Sequence, residues 1–215
     1  NIIFFLSFFY FFIFFFIFFL SLYNMFLENF PFNTPIITTN YPQSIPAFIE
    51  VSQYSRMKYE WSHQKNALEL DRVLHSAVFY PHNYGFIPQT LCDDGDPLDV
   101  LVMCDGPIVP GSFVDIRPIC YMVMEDEKGI DEKLLAIAEK DPNYNHIFSM
   151  DDIPSHKLNE ISQFFETYKS LEKKKWVKVG DWKNTNDAIS LIKKSHDNYL
   201  QHLLSNKQLL INLDD

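Results

Sequence analysis

The sequence predicts a mainly β fold, a small β-barrel with two helices packed outside it. Between residues 45 and 179, short apolar, β-branched or aromatic runs alternate with turn-forming residues. Further along the chain, apolar residues recur at steps of three and four, which indicates amphipathic helices. With 215 residues, the chain has room for one ordinary domain and a tail. The predicted strands cover 45–51, 56–61, 73–80, 99–103, 113–124, 132–137 and 175–179.

Turn-forming residues separate these strands. Gly and Asp supply the backbone conformations of tight turns, and Pro fixes one dihedral angle in advance. The breaks between strands are DDGDP at 93–97, GP at 106–107, PG at 110–111 and KG at 128–129.

Two amphipathic helices are predicted in the C-terminal half. One covers 153–171, and Asp151 and Asp152 precede it as N-terminal caps. The other covers 185–204. In each helix the apolar side chains form one stripe, which we expect to pack on the barrel.

The charge balance and the cysteines restrict the possible functions. The formal net charge is −10, with 28 acidic against 18 basic residues. This balance argues against a nucleic-acid backbone as the main partner and is compatible with a protein that gathers divalent cations. Cys92, Cys104 and Cys120 form no CxxC pair, so we expect free thiols in a reducing compartment, the cytoplasm.

The N-terminal segment differs in composition from the rest. Residues 1–24 carry no charge and hold 11 of the 21 phenylalanines, and the first methionine is Met25. The segment is long enough to span a bilayer but lacks the positive region and cleavage site of a signal peptide. We interpret it as translated T-rich untranslated sequence; the alternative is a membrane anchor or an organelle-targeting segment. We expect an extended lead-in over 25–44, the domain over 45–204 and a polar tail over 205–215.

An acidic motif, DGDPLD at 94–99, is the main candidate for chemistry. Asp94 and Asp96 would point to the same side of an extended chain. Pro97 favours a turn, which can bring Asp99 back toward them. Converging carboxylates repel one another unless cations neutralise them, and such hard oxygen donors suit Mg²⁺.

Three other interpretations of this motif were considered. A calcium-binding EF-hand loop would need Asp or Asn followed by Gly where Leu98 and Asp99 stand. A phosphotransferase with an aspartyl nucleophile usually has its DxD at the end of an apolar strand, whereas here the strand follows. The third interpretation is a solvated acidic turn without a function, and the motif alone does not decide against it.

Further candidates lie in other segments of the chain. Tyr80 and Tyr84 precede the acidic motif, where their hydroxyls could donate to phosphate or their rings could simply belong to the core. Asp126, Asp131 and Lys133 flank a Gly turn, for which a charged hairpin tip is the alternative. The remaining candidates are Glu50, Lys58, Glu60, Arg72, Tyr168 and Lys169.

Together these segments resemble the family I soluble inorganic pyrophosphatases over about residues 45–202. DGDPLD matches the family signature of Asp, a small residue, Asp, Pro or Glu, an apolar residue and Asp. The spacing and size are similar to bacterial and plant members. The resemblance implies a five-stranded OB-like β-barrel with flanking helices, and a homo-oligomer. The matching segments, in order, are IEV…KYE, DR, FYPHNYGFIP, DGDPLDVLV, PGS, DEKGIDEKLLAI, FFETYK and KWVKV.

The resemblance also implies a role for each candidate residue. Asp94, Asp99 and Asp131 would hold two activating Mg²⁺ ions, and Asp126 would help with a metal that arrives with substrate. Asp96 would be the general base. Glu50 and Glu60 would act through metal-bound water or the polar network around it, and Tyr80 would support the site. The residues that would hold the phosphoryl groups are Lys58, Arg72, Tyr84, Lys133, Tyr168 and Lys169.

The implied reaction is the Mg²⁺-dependent hydrolysis of pyrophosphate to two orthophosphates. A metal-activated water or hydroxide would attack in line, with several Mg²⁺ ions, no organic cofactor and no covalent intermediate. The rival hypothesis is a non-catalytic, metal-dependent binding module on an OB-like barrel. It does not account for the basic residues around the carboxylates, and an OB-fold that binds a nucleic-acid strand should be basic along its groove.

Overall fold

The computed structural model describes residues 30–211 and Phe15, with side chains up to residue 205. Apart from Phe15, the leader predicted over 1–24 lies outside the described residues, as do the start of the lead-in and the end of the tail. Across the described ranges, no helix combines the length and the apolar character that crossing a membrane requires.

The described part of the chain contains nine strands, and five of them form a closed ring of hydrogen-bonded pairs. The ring order is β1, β4, β5, β8 and β6, and β6 pairs back with β1. Only β5 and β8 run parallel within the ring. This ring with flanking helices confirms the predicted mainly β, OB-like fold. The strands are β1 Ile45–Val51, β2 Met57–Ser62, β3 Ala67–Val73, β4 Asn83–Phe86, β5 Asp99–Met103, β6 Phe113–Asp126, β7 Gly129–Ile130, β8 Lys133–Ala138 and β9 Val177–Lys183.

The remaining strands extend or flank the ring. β7 and β9 both pair with β6. β2 and β3 form a separate two-stranded sheet, here called the hairpin, in which Lys58 pairs with Arg72. The hairpin has mostly exposed or half-buried side chains.

The predicted strand over 73–80 is wrong, because β3 ends at Val73 and the chain then follows an irregular path. Leu74 and Tyr80 are buried there, and their backbone N–H groups donate to carbonyl oxygens at 56 and 55. Apolar residues in this stretch therefore mark burial without a strand. β3 itself is charged and exposed, so it lacks the apolar signal of a strand.

Strand β4 was not predicted from the sequence either. It has four residues, and Gly85 interrupts its apolar character. A Cβ at Gly85 would lie 1.8 Å from the carbonyl oxygen of Phe48. Glycine is therefore needed where β1 and β4 approach each other.

The two predicted helices are confirmed with adjusted ends, as α1 Ser155–Tyr168 and α2 Thr185–Ile211. Pro154 stands at the N-cap of α1, and the Asp152 carboxylate instead accepts hydrogen bonds from Phe148 and Ser149 backbone N–H groups. The predicted cap is therefore displaced into the preceding 3₁₀ turn. Apolar residues early in α2 are buried, whereas Leu204 is exposed, so its stripe ends before the predicted limit.

Alternate residues of the ring strands enter two apolar clusters, because successive side chains of a strand point to opposite faces. Leu101 of β5 packs in the cluster that contains α1, and Val100 packs in the cluster that contains α2. β1 and β8 are buried along their whole length. The three cysteines are free thiols, as predicted.

Candidate active site

A cleft of about 710 Å³ opens where the hairpin, the ring and the helices meet. Its walls bring together predicted site residues that are far apart in the sequence. Tyr80 is the exception, because it does not line the cleft. The predicted residues that do are Glu50, Lys58, Glu60, Arg72, Tyr84, Asp94, Asp96, Asp99, Asp126, Asp131, Lys133, Tyr168 and Lys169.

The first acidic residues stand on a turn between β4 and β5, and the expectation of an extended DxD is wrong. Gly95 has φ +89°, and the Asp96 N–H donates to Asp94 Oδ1 at 3.1 Å. Only a glycine adopts such a φ readily, which explains its position between the two aspartates. Burial raises the pKa of Asp94, whereas the Asp96 side chain is 61% exposed and pairs with Lys128 at 3.2 Å.

The ends of two ring strands place a buried lysine between two carboxylates. The parallel register of β5 and β8 sets Asp99 beside Lys133. The Lys133 ammonium donates to both Asp99 and Asp131. Burial opposes the charge of Lys133, but the two carboxylates outweigh it and raise the pKa of this lysine. Burial also raises the pKa of Asp131 to about 6, despite the neighbouring Lys133.

A second buried ion pair lies at the end of β6. Lys169 Nζ donates to Asp126 Oδ2 at 2.5 Å, and the backbone N–H of Lys128 donates to Asp126 Oδ1 at 2.8 Å. Burial would raise the pKa of Asp126, but these hydrogen bonds outweigh it and lower the pKa. The carboxylate therefore stays ionised in the buried wall of the cleft.

The hairpin contributes two cations to the cleft, Lys58 and Arg72, beside the carboxylates Glu60 and Asp71. Lys58 pairs with Glu60 on the same face of β2, and its Nζ lies 3.6 Å from Asp71 Oδ2. Arg72 Nε donates to Glu172 Oε1 at 3.0 Å. Burial disfavours the charge of Arg72, but Asp71 and Glu172 outweigh it and raise the pKa.

Glu50 of β1 lies at the base of the cleft. Its Oε1 accepts a hydrogen bond from the backbone N–H of Trp61 at 2.8 Å. Burial raises the pKa of Glu50 to about 8, more than this hydrogen bond lowers it. The protonated carboxyl could donate a hydrogen bond in the cleft, which an ionised one could not.

The three tyrosines occupy two layers. Tyr84 and Tyr168 line the cleft, whereas Tyr80 is 1% exposed and packs behind Tyr84, with ring centroids 5.1 Å apart. Burial raises the pKa of all three well above the ordinary value. Their hydroxyls therefore stay protonated and can act as hydrogen-bond donors.

The acidic set fits a magnesium site in its chemistry. Asp94, Asp99, Asp126 and Asp131 all line the cleft, and carboxylate oxygens are the donors that Mg²⁺ prefers. Within the described part of the chain, no three acidic, His or Cys side chains converge closely enough to hold a metal ion. Three of these carboxylates are paired with lysines, Asp99 and Asp131 with Lys133 and Asp126 with Lys169.

Several cleft residues were not predicted from the sequence. Phe32 and Asn33 belong to the lead-in, which was expected to be extended and for which no site residue was predicted. Trp61 and Tyr199 also line the cleft. Two features of the sequence could have indicated them: the aromatic residues that flank proline at 30–32, and Tyr199 near the end of the apolar stripe of the second helix.

Comparison with known proteins identifies the family. The family model described as "Inorganic pyrophosphatase" matches residues 47–200. The chain belongs to the inorganic pyrophosphatase family. This confirms the resemblance predicted from the motifs, and the enzyme class is inorganic diphosphatase.

Individual relatives agree with this assignment. The inorganic pyrophosphatase of Aquifex pyrophilus is 48% identical over 162 residues, which cover 74% of this chain and 92% of the relative. Soluble inorganic pyrophosphatase 5 of Arabidopsis thaliana is 44% identical over 156 residues, 73% of this chain and 72% of the relative. The crystal structure of the inorganic pyrophosphatase from Thermus thermophilus superimposes with a TM-score of 0.76 at 42% identity, covering 78% of this chain and 97% of that one.

Proposed function

We propose that the chain hydrolyses inorganic pyrophosphate to two orthophosphates in a Mg²⁺-dependent reaction. One observation carries the proposal: a single cleft gathers carboxylates together with cationic side chains, namely Asp94, Asp99, Asp126 and Asp131 with Lys58, Arg72, Lys133 and Lys169. Pyrophosphate is a polyanion, so it needs cationic side chains, and carboxylates can face it only through cations. Family membership supports the same substrate.

We assign metal binding to Asp94, Asp99, Asp126 and Asp131. Bound Mg²⁺ would neutralise phosphate charge and lower the pKa of a bound water. Lys133 and Lys169 would then no longer be needed as counter-ions of these carboxylates, so both ammonium groups could turn to phosphate oxygens.

The other side chains bind the substrate and move one proton. Asp96 Oδ2 accepts the proton of the attacking water, for which its exposure in the cleft leaves room. Attack is in line, and no covalent intermediate forms. Tyr80 supports the wall behind Tyr84. Glu50 and Glu60 complete the polar network, and the groups that bind phosphate oxygens are Lys58, Arg72, Tyr84, Lys133, Tyr168 and Lys169.

We also propose that the protein acts in the cytoplasm as a homo-oligomer without a nucleic-acid partner. The three free thiols support a reducing compartment. The net charge of −10 supports the lack of a nucleic-acid partner.

The test is phosphate release from pyrophosphate by the purified full chain. We expect turnover with Mg²⁺ and its loss when EDTA is added or when Ca²⁺ replaces Mg²⁺, because Ca²⁺ takes more ligands in a looser geometry. Saturable pyrophosphate binding without phosphate release would instead show a binding module and contradict the proposal.

A further inference from the structure

Residues 30–33, here called the strap, run between the ring and the tip of the hairpin. Phe32 stacks on the exposed His63 at the start of the hairpin turn, with ring centroids 4.6 Å apart. The ring of Phe32 also stacks on Phe86 of β4, again with ring centroids 4.6 Å apart. One side chain therefore joins the outlying hairpin to a ring strand.

Phe30 makes a second connection of the same kind. Its ring meets Trp61 of the hairpin edge to face, with centroids 5.5 Å apart. It also lies 6.2 Å from the ring of Phe48 and 5.9 Å from that of Phe113, both on ring strands. Aromatic pairs at these separations are attractive beyond the area that they bury.

The strap is itself fixed on the side of the cleft away from the hairpin. The backbone N–H of Gln89 donates to the carbonyl oxygen of Phe32 at 2.8 Å. Tyr199 of α2 donates its hydroxyl to Asn33 Oδ1 at 2.6 Å. The strap is thus anchored to the loop before the acidic turn and to a helix, so it can hold the hairpin from a rigid base.

Such contacts matter because, in the described structure, the hairpin shares no hydrogen-bonded ladder with the ring and is otherwise joined to β1 through Trp61, which donates to Glu50 and packs on Phe48. The side chains of the hairpin are mostly exposed or half-buried, so little apolar area secures it. The hairpin nevertheless carries Lys58 and Arg72, and the distance between these cations and the ring carboxylates depends on where the hairpin lies.

We propose that Phe32 is a positioning residue, which holds Lys58 and Arg72 of the hairpin at the distance from the ring carboxylates that pyrophosphate requires. The kinetic part of this inference rests on the proposed function. Phe32 would not touch the reacting atoms, since its ring faces are occupied by His63 and Phe86. Its removal should weaken substrate binding rather than the chemical step.

The experiment compares Phe32→Ala with Phe32→Tyr in the full chain. We expect Phe32→Ala to raise KM for pyrophosphate about tenfold with kcat near wild type, because the stacked pairs that fix the hairpin are lost. Phe32→Tyr keeps the ring and should restore KM. Phe148→Ala is the matched control, because it removes an exposed phenylalanine that does not line the cleft.

Two further readouts separate positioning from general destabilisation. Amide hydrogen exchange should rise over 57–73 in Phe32→Ala and stay unchanged in β5 and β8. The KM effect of Phe32→Ala should largely disappear in a Lys58→Ala background, because coupled residues are non-additive. Unchanged exchange in the hairpin, or a KM effect that is fully additive with Lys58→Ala, would overturn the inference. If wild type released no phosphate, the proposed function would fail, while the exchange comparison would still decide the role of the strap.

Discussion

Asp96 differs from the other cleft aspartates in its surroundings. Its side chain is 61% exposed and, among the described residues, forms an ion pair with the exposed Lys128 alone, whereas Asp126 is buried against Lys169. An exposed carboxylate at the mouth of the cleft can meet a water molecule without breaking a buried ion pair. This environment suits a proton acceptor better than a structural counter-ion.

Replacing Asp96 by asparagine removes the proposed proton acceptor and keeps the shape of the side chain. We expect Asp96→Asn to lower kcat by roughly 10² to 10⁴, the usual contribution of a positioned general base. The binding of Mg²⁺, measured by titration calorimetry without substrate, should change little. A variant with near wild-type turnover would remove Asp96 from the mechanism.

Glu50 gives a prediction for stability against pH. Its pKa is about 8 in the folded chain and near 4.5 when exposed, so between these values the folded state binds more protons than the unfolded state. Glu50 therefore lowers the free energy of unfolding as pH rises from about 4.5 to about 8, by at most about 1.4 kcal/mol per pH unit.

The corresponding measurement is urea unfolding of metal-free protein in EDTA, at about pH 5 and about pH 8. Glu50→Gln keeps an oxygen for the Trp61 N–H and does not titrate, so its loss of stability over this range should be smaller than that of wild type. Parallel curves for the two proteins would show that Glu50 is already ionised at the lower pH.

Asp99 lies on a different element of the cleft from the cations Lys58 and Arg72. β5 and β8 carry Asp99 and Lys133 side by side, whereas the separate hairpin carries Lys58 and Arg72. If the ring holds cations and the hairpin holds phosphate, changes in the two elements should have different kinetic signatures.

Asp99→Asn removes a charged oxygen donor from the ring. We expect the Mg²⁺ concentration for half-maximal activity to rise by about 10- to 100-fold. Arg72→Ala should instead leave this concentration nearly unchanged and raise KM for pyrophosphate about 10- to 100-fold, because a charge-assisted contact to phosphate is lost.

Arg72→Lys is the matched control for the hairpin, because it keeps the charge and loses the planar guanidinium. Its KM should lie between those of wild type and Arg72→Ala. The measurement is activity titrated against free Mg²⁺ and separately against substrate. Equal shifts of the Mg²⁺ dependence in Asp99→Asn and Arg72→Ala would contradict the division between ring and hairpin.

The sequence predicts those elements whose own residues carry a strong apolar pattern. β1, β5, β6 and both helices are of this kind, because their burial depends on runs or stripes that are visible locally. β3 is exposed and charged, and β4 contains Gly85, so neither has such a pattern. Their pairing is decided by neighbours distant in the chain, which one local segment does not reveal.

More of the candidate site than of the surrounding fold could be predicted from the sequence. The motif residues can be recognised by their order along the chain even where the path of the backbone is unknown. The structure brings the predicted site residues, apart from Tyr80, to one cleft. Their individual roles stay predictions. Phe32 and Asn33 carry no charge and belong to no motif. Only their contacts across the cleft, to His63 and Tyr199, reveal them.

At the scale of the whole molecule, the ring, hairpin and helices lie between residues 45 and 211, and the strap starts at Phe30. A shortened chain that begins at Met25 keeps all of them. We expect the shortened chain to be soluble, with the melting temperature and specific activity of the full chain, because it keeps the ring, the hairpin, both helices and the strap. Calorimetry and the phosphate assay on both chains check this. Recovery of the native protein from washed membranes would instead favour a real anchor.

The ring closes where Ile45 of β1 pairs with Ile116 of β6. These two strands are far apart in the sequence, so the chain between them must form a long loop before they can pair. Closing such a loop costs conformational entropy before the contacts offset it, which slows folding. Asp99 and Lys133 also become neighbours only through the parallel pairing of β5 with β8. A partly folded chain therefore has the carboxylates but has not brought them into one cleft, so we expect cations to bind it weakly. Cations should thus slow the unfolding of the completed ring and leave its rate of formation almost unchanged.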